Sequence, residues 1–423
     1  MSRWQQLKSF PRLMWVLLFG AFITRGSYYM VWPFLAIILY DSFQLSATSV
    51  GIVLSVAALI SVFVGFIGGA LSDKYGRKNI MYASGILYTL SFLALAEVTS
   101  LAGYIVIITL CSIAKAIWEP PTSALIGDIV KDSETRELAM QARYFSVNVG
   151  AALGPMGGVW LGLTGQQSSF SITAYAFLLF LAVLAWGFWQ QTKVANAEAS
   201  SMSANAPEEG EAEQQGHFSV VWQVLKQDRL LQCLILANMT CMLIYAQMDT
   251  TLVQYLKRAE APDVLLLISS LILTNALVIV CCQFPLLKLM ASLTLVRRIQ
   301  IALAVLALSQ VWLAFNPLVW FWGWIGAIVL MSLAEAVLFP TMNVHIDRIA
   351  PKHLRGAYFG AASFYSIGYA LAPFIGGILL DWVGVWLFLI GALGCLWVMY
   401  LYSILDSLPR PEIVLPQTTV EDN

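Results

Sequence analysis

Stretches of about 20 apolar residues recur twelve times in this 423-residue chain. That recurrence is the strongest constraint on its fold. About 20 residues of helix cross the roughly 30 Å hydrocarbon layer of a bilayer, and each helix satisfies its own backbone polar groups there. The spans are read at 13–39, 47–71, 79–98, 102–129, 139–163 and 170–190, then at 230–255, 264–287, 299–315, 319–346, 356–380 and 385–405. Charged residues make up 11% of the chain, against about 25% in a soluble domain. Mean hydropathy is +0.77, so the chain must use lipid as solvent. The expected class is an all-α membrane protein of twelve transmembrane helices in two six-helix bundles.

Between the sixth and seventh spans the composition changes. Residues 191–218 are rich in Ala, Ser, Glu and Gln, including Glu208, Glu209, Glu211 and Glu213. This reads as a flexible acidic linker, followed by a short amphipathic helix at 218–228. The organisation is a first bundle at 1–190, a linker at 191–229, a second bundle at 230–405 and a tail at 406–423. With a cytoplasmic N-terminus, 19 of the 23 Lys and Arg residues fall in cytoplasmic segments. Arg25 and Lys115 lie within spans, and only Lys257 and Arg258 occupy an outer loop. Both termini are therefore expected in the cytoplasm, with the protein in the plasma (bacterial inner) membrane. No cleavable signal peptide is read at the basic N-terminus.

The halves repeat each other. Around span four stand Pro121-Thr122, Asp128, Arg136 and Gly154-Pro155. Around span ten stand Pro340-Thr341, Asp347, Arg355 and Ala372-Pro373. Pro-to-Asp is seven residues in both and Asp-to-Arg eight in both. The second proline then shifts register by one. Such a repeat implies two similar bundles with a substrate site between them near the bilayer midplane.

Ionisable side chains inside the spans carry the chemistry, since each costs from about 2.5 kcal/mol upward at the bilayer centre. Lys115 and Glu119, four apart on one helix face, can pair directly. The pair either neutralises itself for insertion or acts as a proton switch. Glu335 has no partner within its own span, which makes it a candidate for the coupling proton or for a substrate amine. Asp249 stands in a polar patch, Tyr245-Ala-Gln247-Met-Asp249-Thr250-Thr251, and is either a cavity acid or an outer-surface one. Arg25 can bind an anionic group or pair with an acid across helices. Tyr28, Tyr29, Trp32, Trp118 and Tyr245 stand beside these charges and can line a pocket, with packing as the plainer role. Asn148 joins them as a binding candidate. Six cysteines, all in apolar stretches, read as packing residues. No metal cluster, nucleophile–base set or cofactor motif is found, and a net charge of −1 gives no reason to expect nucleic acid.

Two motifs remain. Gly69-Ala-Leu-Ser-Asp73-Lys74-Tyr-Gly76-Arg77-Lys78 joins spans two and three. Asn148-Val-Gly150-Ala-Ala-Leu-Gly154-Pro155-Met-Gly157-Gly158 lies in span five, where small residues allow close helix packing and Pro155 is expected to kink the span. The first resembles the signature loop of the major facilitator superfamily, G-x-L-a-D-r-x-G-r-k. The second resembles the G-x-x-x-G-P-x-x-G-G pattern of that superfamily's drug–proton antiporters. The resemblance covers residues 10–405. It implies alternating access driven by a proton gradient, with Gly69, Asp73, Gly76, Arg77 and Lys78 gating the rocking of the halves. Asp128, Arg136, Gly154, Pro155, Asp347 and Arg355 are counted with that gate. The chain departs from the drug–proton group by lacking an arginine around Thr109–Ala116.

A second resemblance is to proton-coupled oligopeptide transporters. It rests on Arg25-Gly-Ser-Tyr28-Tyr29, on Tyr144-Phe145-Ser-Val-Asn148-Val-Gly150 and on Glu335. The span-one glutamates of those carriers are absent, and Glu119 stands where they have Lys. The expected function is a proton-coupled antiporter exporting small organic compounds. A peptide or amino-acid symporter is the alternative, and a non-transporting receptor a more distant one. The expected partners are a small-molecule substrate, protons and the lipid bilayer, with the protein a monomer and no cofactor beyond the proton gradient.

Overall fold

The computed structural model describes residues 3–199, 226–350, 358, 361–405 and 408. Among these every long regular element is helical. The first half comprises α1 (Arg12–Val31), α2 (Ala47–Tyr75), α3 (Arg77–Glu97), α4 (Leu101–Ile129), α5 (Ser133–Trp160) and α6 (Phe170–Ala199). The second comprises α7 (Arg229–Tyr245), α8 (Val264–Leu289), α9 (Leu295–Phe315), α10 (Phe321–Ile349), α11 (Ser366–Val383) and α12 (Leu387–Ile404). These elements match the twelve spans. The expected helix at 218–228 falls almost wholly outside the described residues.

Local chemistry explains where the rods start and stop. Side chains of Ser46, Ser100, Asp132, Asp228 and Thr294 each accept a backbone N–H in the first turn of α2, α4, α5, α7 and α9. Two interruptions bear on the site. Pro33 supplies no N–H, and a 3₁₀ turn at Trp32–Phe34 carries α1 into the short helix Leu35–Phe43. After Tyr245 the chain turns through 246–250 before resuming as the helix Thr251–Arg258. Gln247 bridges this break. Its amide donates to the carbonyls of Leu243 and Ala372 at 2.9 and 3.2 Å, and its oxygen accepts from the Thr251 hydroxyl at 2.5 Å. Irregular backbone at membrane depth needs such replacement partners.

The packing is two-fold. In the first half α1 meets α5 and α6, α2 meets α4, and α3 meets α4 and α6. Adding six to each index reproduces the second half: α7 with α11 and α12, α8 with α10, α9 with α10 and α12. The two largest contacts between halves, α2 with α11 and α5 with α8, are each other's counterparts. The repeated Pro-Thr pairs behave alike, Thr122 and Thr341 each donating to the carbonyl four residues earlier, at 2.7 and 2.6 Å. One apolar core gathers residues from Phe10 to Phe188. The other gathers residues from Leu230 to Leu405, joined by Phe34, Ile37 and Ala47.

The segment 69–78 is not an open loop. Helix α2 runs to Tyr75 and α3 begins at Arg77, so Gly76 alone turns the chain, at φ +86°. That left-handed backbone favours glycine. Likewise α5 starts six residues earlier than expected, at Ser133, and continues through Pro155 to Trp160.

Candidate functional site

The halves are tied together at the end of the molecule that is poor in bases. Asp381 of α11 reaches the first turn of α2. Its carboxylate accepts from the Ala47 and Thr48 N–H groups at 3.1 and 2.8 Å and from the Thr48 hydroxyl at 2.6 Å. An acid there meets the positive end of the helix dipole. Gly51 and Gly377 let the two backbones touch, since a Cβ at Gly377 would run into Ala47 and one at Gly51 into Pro373. The two exceptional bases belong to the same closure. Lys257 pairs with Asp41 at 3.0 Å. Arg258 donates to the Leu45 carbonyl at 2.8 Å and lies 4.4 Å from the centre of the Tyr40 ring.

Below this closure lies a central cavity of about 500 Å³ lined by both halves. Tyr28, Tyr29 and Trp32 of α1 form one wall, with Tyr28 and Trp32 stacked at 5.1 Å. Lys115 and Glu119 enter from α4, and Asp249 from the break in span seven, with Tyr369 of α11 beside it. The Tyr369 hydroxyl donates to Asp249 at 2.7 Å. Of the two positions open to Asp249, cavity or surface, it occupies the cavity, because the break turns it inward.

The expected Lys115–Glu119 pair does not form. Glu119 is held by Arg143 of α5 at 2.6 Å and by Arg25 at 3.5 Å. The Lys115 ammonium lies instead 4.7 Å from the centre of the Tyr28 ring. Guanidinium groups offer a planar fork to a carboxylate, and they outcompete a single ammonium one turn away. Arg143 is the residue that sequence reasoning missed, having been counted among the cytoplasmic bases although it lies within span five.

Glu335 sits elsewhere. One of its oxygens, Oε2, accepts from the Tyr245 hydroxyl at 2.6 Å and from the Asn275 amide of α8 at 2.7 Å. The same amide reaches the Ser332 hydroxyl at 3.0 Å. Glu335 and its aromatic neighbour Phe339 line a second cleft, between α5, α8 and α10, and not the central cavity. Asn275 was missed too, although an amide deep in a largely apolar span was the available signal.

The remaining candidates are scattered. Trp118 is buried against Phe177 and Phe180, a packing position. Asn148 donates to the Tyr144 carbonyl of its own helix at 2.8 Å. Gly154 lies against Gly26 of α1. At the base-rich end Arg77 forms an ion pair with Asp128 within the first half. Lys78 lies over the Phe188 ring, and Arg136 donates to the Lys131 carbonyl at 3.1 Å, a local cap. Gly69 lies within α2, the side chains of Asp73 and Asp347 are outside what is described, and Arg355 lies outside the described residues.

Two bundles with pairings that repeat at an offset of six, around a cavity holding charges from both, form a carrier architecture. The pattern of the Major Facilitator Superfamily matches residues 17–365. The chain belongs to that superfamily. It is a multi-pass membrane transporter rather than an enzyme. A Na(+), Li(+), K(+)/H(+) antiporter from Planococcus maritimus is 24% identical, over 94% of this chain and 98% of its own. The multidrug resistance protein MdtH of Klebsiella pneumoniae is 26% identical over 195 residues, 45% of this chain and 46% of its own. Among solved structures, a peptide transporter POT in complex with sulfate superposes with a TM-score of 0.72 at 18% identity. That match covers 96% of this chain and 98% of the other. It speaks for the superfamily fold alone.

Proposed function

We propose that this superfamily member is a proton-coupled antiporter that exports small organic compounds by alternating access. Glu335 is the acid that takes and releases the proton. The observation carrying this reading is its partner set: two neutral donors and, among the described residues, no cation paired with it. Such a carboxylate can gain a proton without stranding a positive charge. Asp249, held by a tyrosine hydroxyl, is the second coupling candidate. Glu119, clasped by two guanidinium groups, is assigned instead to holding α1, α4 and α5 together. Tyr28, Tyr29, Trp32 and Lys115 are assigned to substrate contact in the central cavity. The Arg77–Asp128 pair and the Gly76 hinge are assigned to the gate at the base-rich end. The antiporter among its relatives supports exchange as the mode, and the multidrug protein supports organic cargo. We assign the carrier to the bacterial inner membrane as a monomer, with both termini in the cytoplasm and the proton gradient as its only energy source.

A peptide or amino-acid symporter is the second reading. Lys115, without an acid partner among the described residues, faces the same cavity as Asp249, an arrangement that suits a zwitterion. Purified protein in liposomes with an internal pH dye separates the two. Under an imposed proton gradient, lipophilic cations, alkali cations, amino acids and small peptides are added in turn. Proton movement opposite to the flow of an organic compound is the expected result. Proton movement in the same direction as a peptide overturns antiport, and a response to alkali cations alone overturns organic cargo.

A further inference from the structure

A small cavity lies inside the first half, apart from the central one. It encloses about 50 Å³ and is walled by α1, α3, α4, α5 and α6. The charged side chains in its lining are Arg25, Lys115, Arg143 and Glu119, three cations against one carboxylate. No second acid lines it among the described residues, and Asp249 belongs to the central cavity alone of the two. Both oxygens of Glu119 are already engaged, Oε2 by Arg143 at 2.6 Å and Oε1 by Arg25 at 3.5 Å. Two guanidinium groups carry more N–H donors than one carboxylate can accept. Arg143 displays the surplus, since its Nε is buried with no acceptor among the described residues. The Lys115 ammonium adds a third positive charge, resting over the Tyr28 ring. Thr24 and Thr122 direct their hydroxyl protons to the carbonyls of Gly20 and Trp118, at 2.6 and 2.7 Å. The side-chain donors that remain in the lining are cationic groups and tyrosine hydroxyls.

We infer that this cavity is a binding site for one small inorganic anion of the halide class, held by Arg25, Arg143 and Lys115. A single cation at membrane depth is costly, and an excess of two positive charges in one poorly solvated pocket is costlier. One monovalent anion halves that excess. Size decides the class of anion. A water needs about 10–15 Å³ of such space. A volume of about 50 Å³ therefore admits a chloride or bromide ion with little else, and is too small for an aromatic or sugar-derived anion. The bound ion relieves the repulsion among the three cations and so strengthens the clasp that Glu119 makes between α1, α4 and α5. It is a resident ligand and not the cargo, so the inference goes beyond the efflux reading and does not rest on it.

The test is binding of radiolabelled chloride to the purified full chain in nanodiscs of neutral lipid, at fixed ionic strength with gluconate as the balancing anion. Thermal unfolding is followed in the same solutions. Saturable binding is expected, with bromide competing and benzenesulfonate, which the central cavity has room for, failing to compete. The unfolding midpoint should rise as chloride replaces gluconate. Lys115→Met should weaken chloride binding by about tenfold or more, because it removes one of the three charges and leaves the clasp intact. Glu119→Gln should act in the opposite direction. It removes the one acid in the lining, so chloride should bind more tightly and recover part of the stability that the variant loses in gluconate. A purely structural Glu119 predicts the same loss in either anion. Absence of saturable binding, or an unfolding midpoint indifferent to the anion, overturns the inference. So does weaker chloride binding in Glu119→Gln. Displacement by benzenesulfonate as effective as by bromide puts the ion in the central cavity and overturns it too. The outcome is independent of proton-coupled flux, so failure of the efflux reading leaves this site standing, and failure of this site leaves efflux untouched.

Discussion

The buried acids of the two halves are treated in opposite ways. Glu119 in the first half is clasped by Arg25 and Arg143. Among the described residues, Glu335 and Asp249 in the second half accept from tyrosine hydroxyls and an amide and pair with no cation. The helices that bear Glu119 and Glu335, α4 and α10, are near-equivalents, since Lys115 stands six residues before Pro121 and Glu335 five before Pro340. One two-fold scaffold thus carries a charge-saturated half and a half whose acids can change state. A carboxylate between two guanidinium groups holds helices together, and removing its charge would leave two cations at membrane depth. A carboxylate among neutral donors can serve as a reversible switch.

That contrast is open to attack, most directly through transport. Glu335→Gln is expected to lower substrate-evoked proton flux by about a hundredfold, with little loss of thermal stability, because glutamine still accepts from Tyr245 and Asn275. Should Glu335→Gln transport normally while Glu119→Gln abolishes coupling, the roles assigned to the halves are reversed. Next in size is stability. Glu119→Gln should destabilise the detergent-solubilised protein by about 1–3 kcal/mol, with a smaller penalty when Arg143→Met is added to it. A double variant whose effects simply add would remove the clasp from the account.

The closure at the base-poor end sharpens the comparison further, because it ties the half with the clasped acid to the half whose acids meet neutral donors. Asp381→Asn retains the shape but removes the charge facing the α2 N-terminus, and should cost about 0.5–1 kcal/mol. Spin labels placed on either side of the α2–α11 contact should then report a broader distance distribution, and an unchanged one would reduce Asp381 to a packing residue. The smallest effect lies outside the membrane. Asp132 caps α5 by accepting from the Thr135 N–H and hydroxyl at 2.8 and 2.6 Å, and these bonds hold its carboxyl below the ordinary value. A lowered value means that its contribution is complete above the ordinary Asp range near pH 3.9 and is lost as pH falls through the lower folded value. Protection of the Thr135 amide should therefore persist through the ordinary Asp range and be lost only as pH falls below it, and loss of protection near neutrality would contradict the cap.

Much of this architecture is legible in the chain alone. Apolar runs of membrane length set the number of rods, and turn or cap residues such as Gly76, Ser46 and Asp132 mark several of their ends. The Pro-Thr repeat announced the two-fold relation that the helix pairings display. The polar run 245–251 hinted at the break in span seven without revealing that Gln247 would bridge it to α11. The partners of the charges were less accessible. Sequence proximity suggested Lys115 for Glu119, whereas the successful partner stands 24 residues away on another helix. Lys257 and Arg258 looked like violations of charge bias until they met Asp41 and the Leu45 carbonyl across the halves.

The sequence by itself determined the solvent this chain requires, the number and length of its helices, the repeat that relates its halves and the identity of its intramembrane charges. These properties are local, because hydropathy, helix rise and capping are written residue by residue. Only the tertiary structure decided which charges pair with a counter-charge, which meet neutral donors and that Glu335 lines a different cleft from Lys115. Those outcomes depend on distances between helices far apart in the chain. In a low-dielectric interior, a shift of one helical turn changes which partner a charge finds.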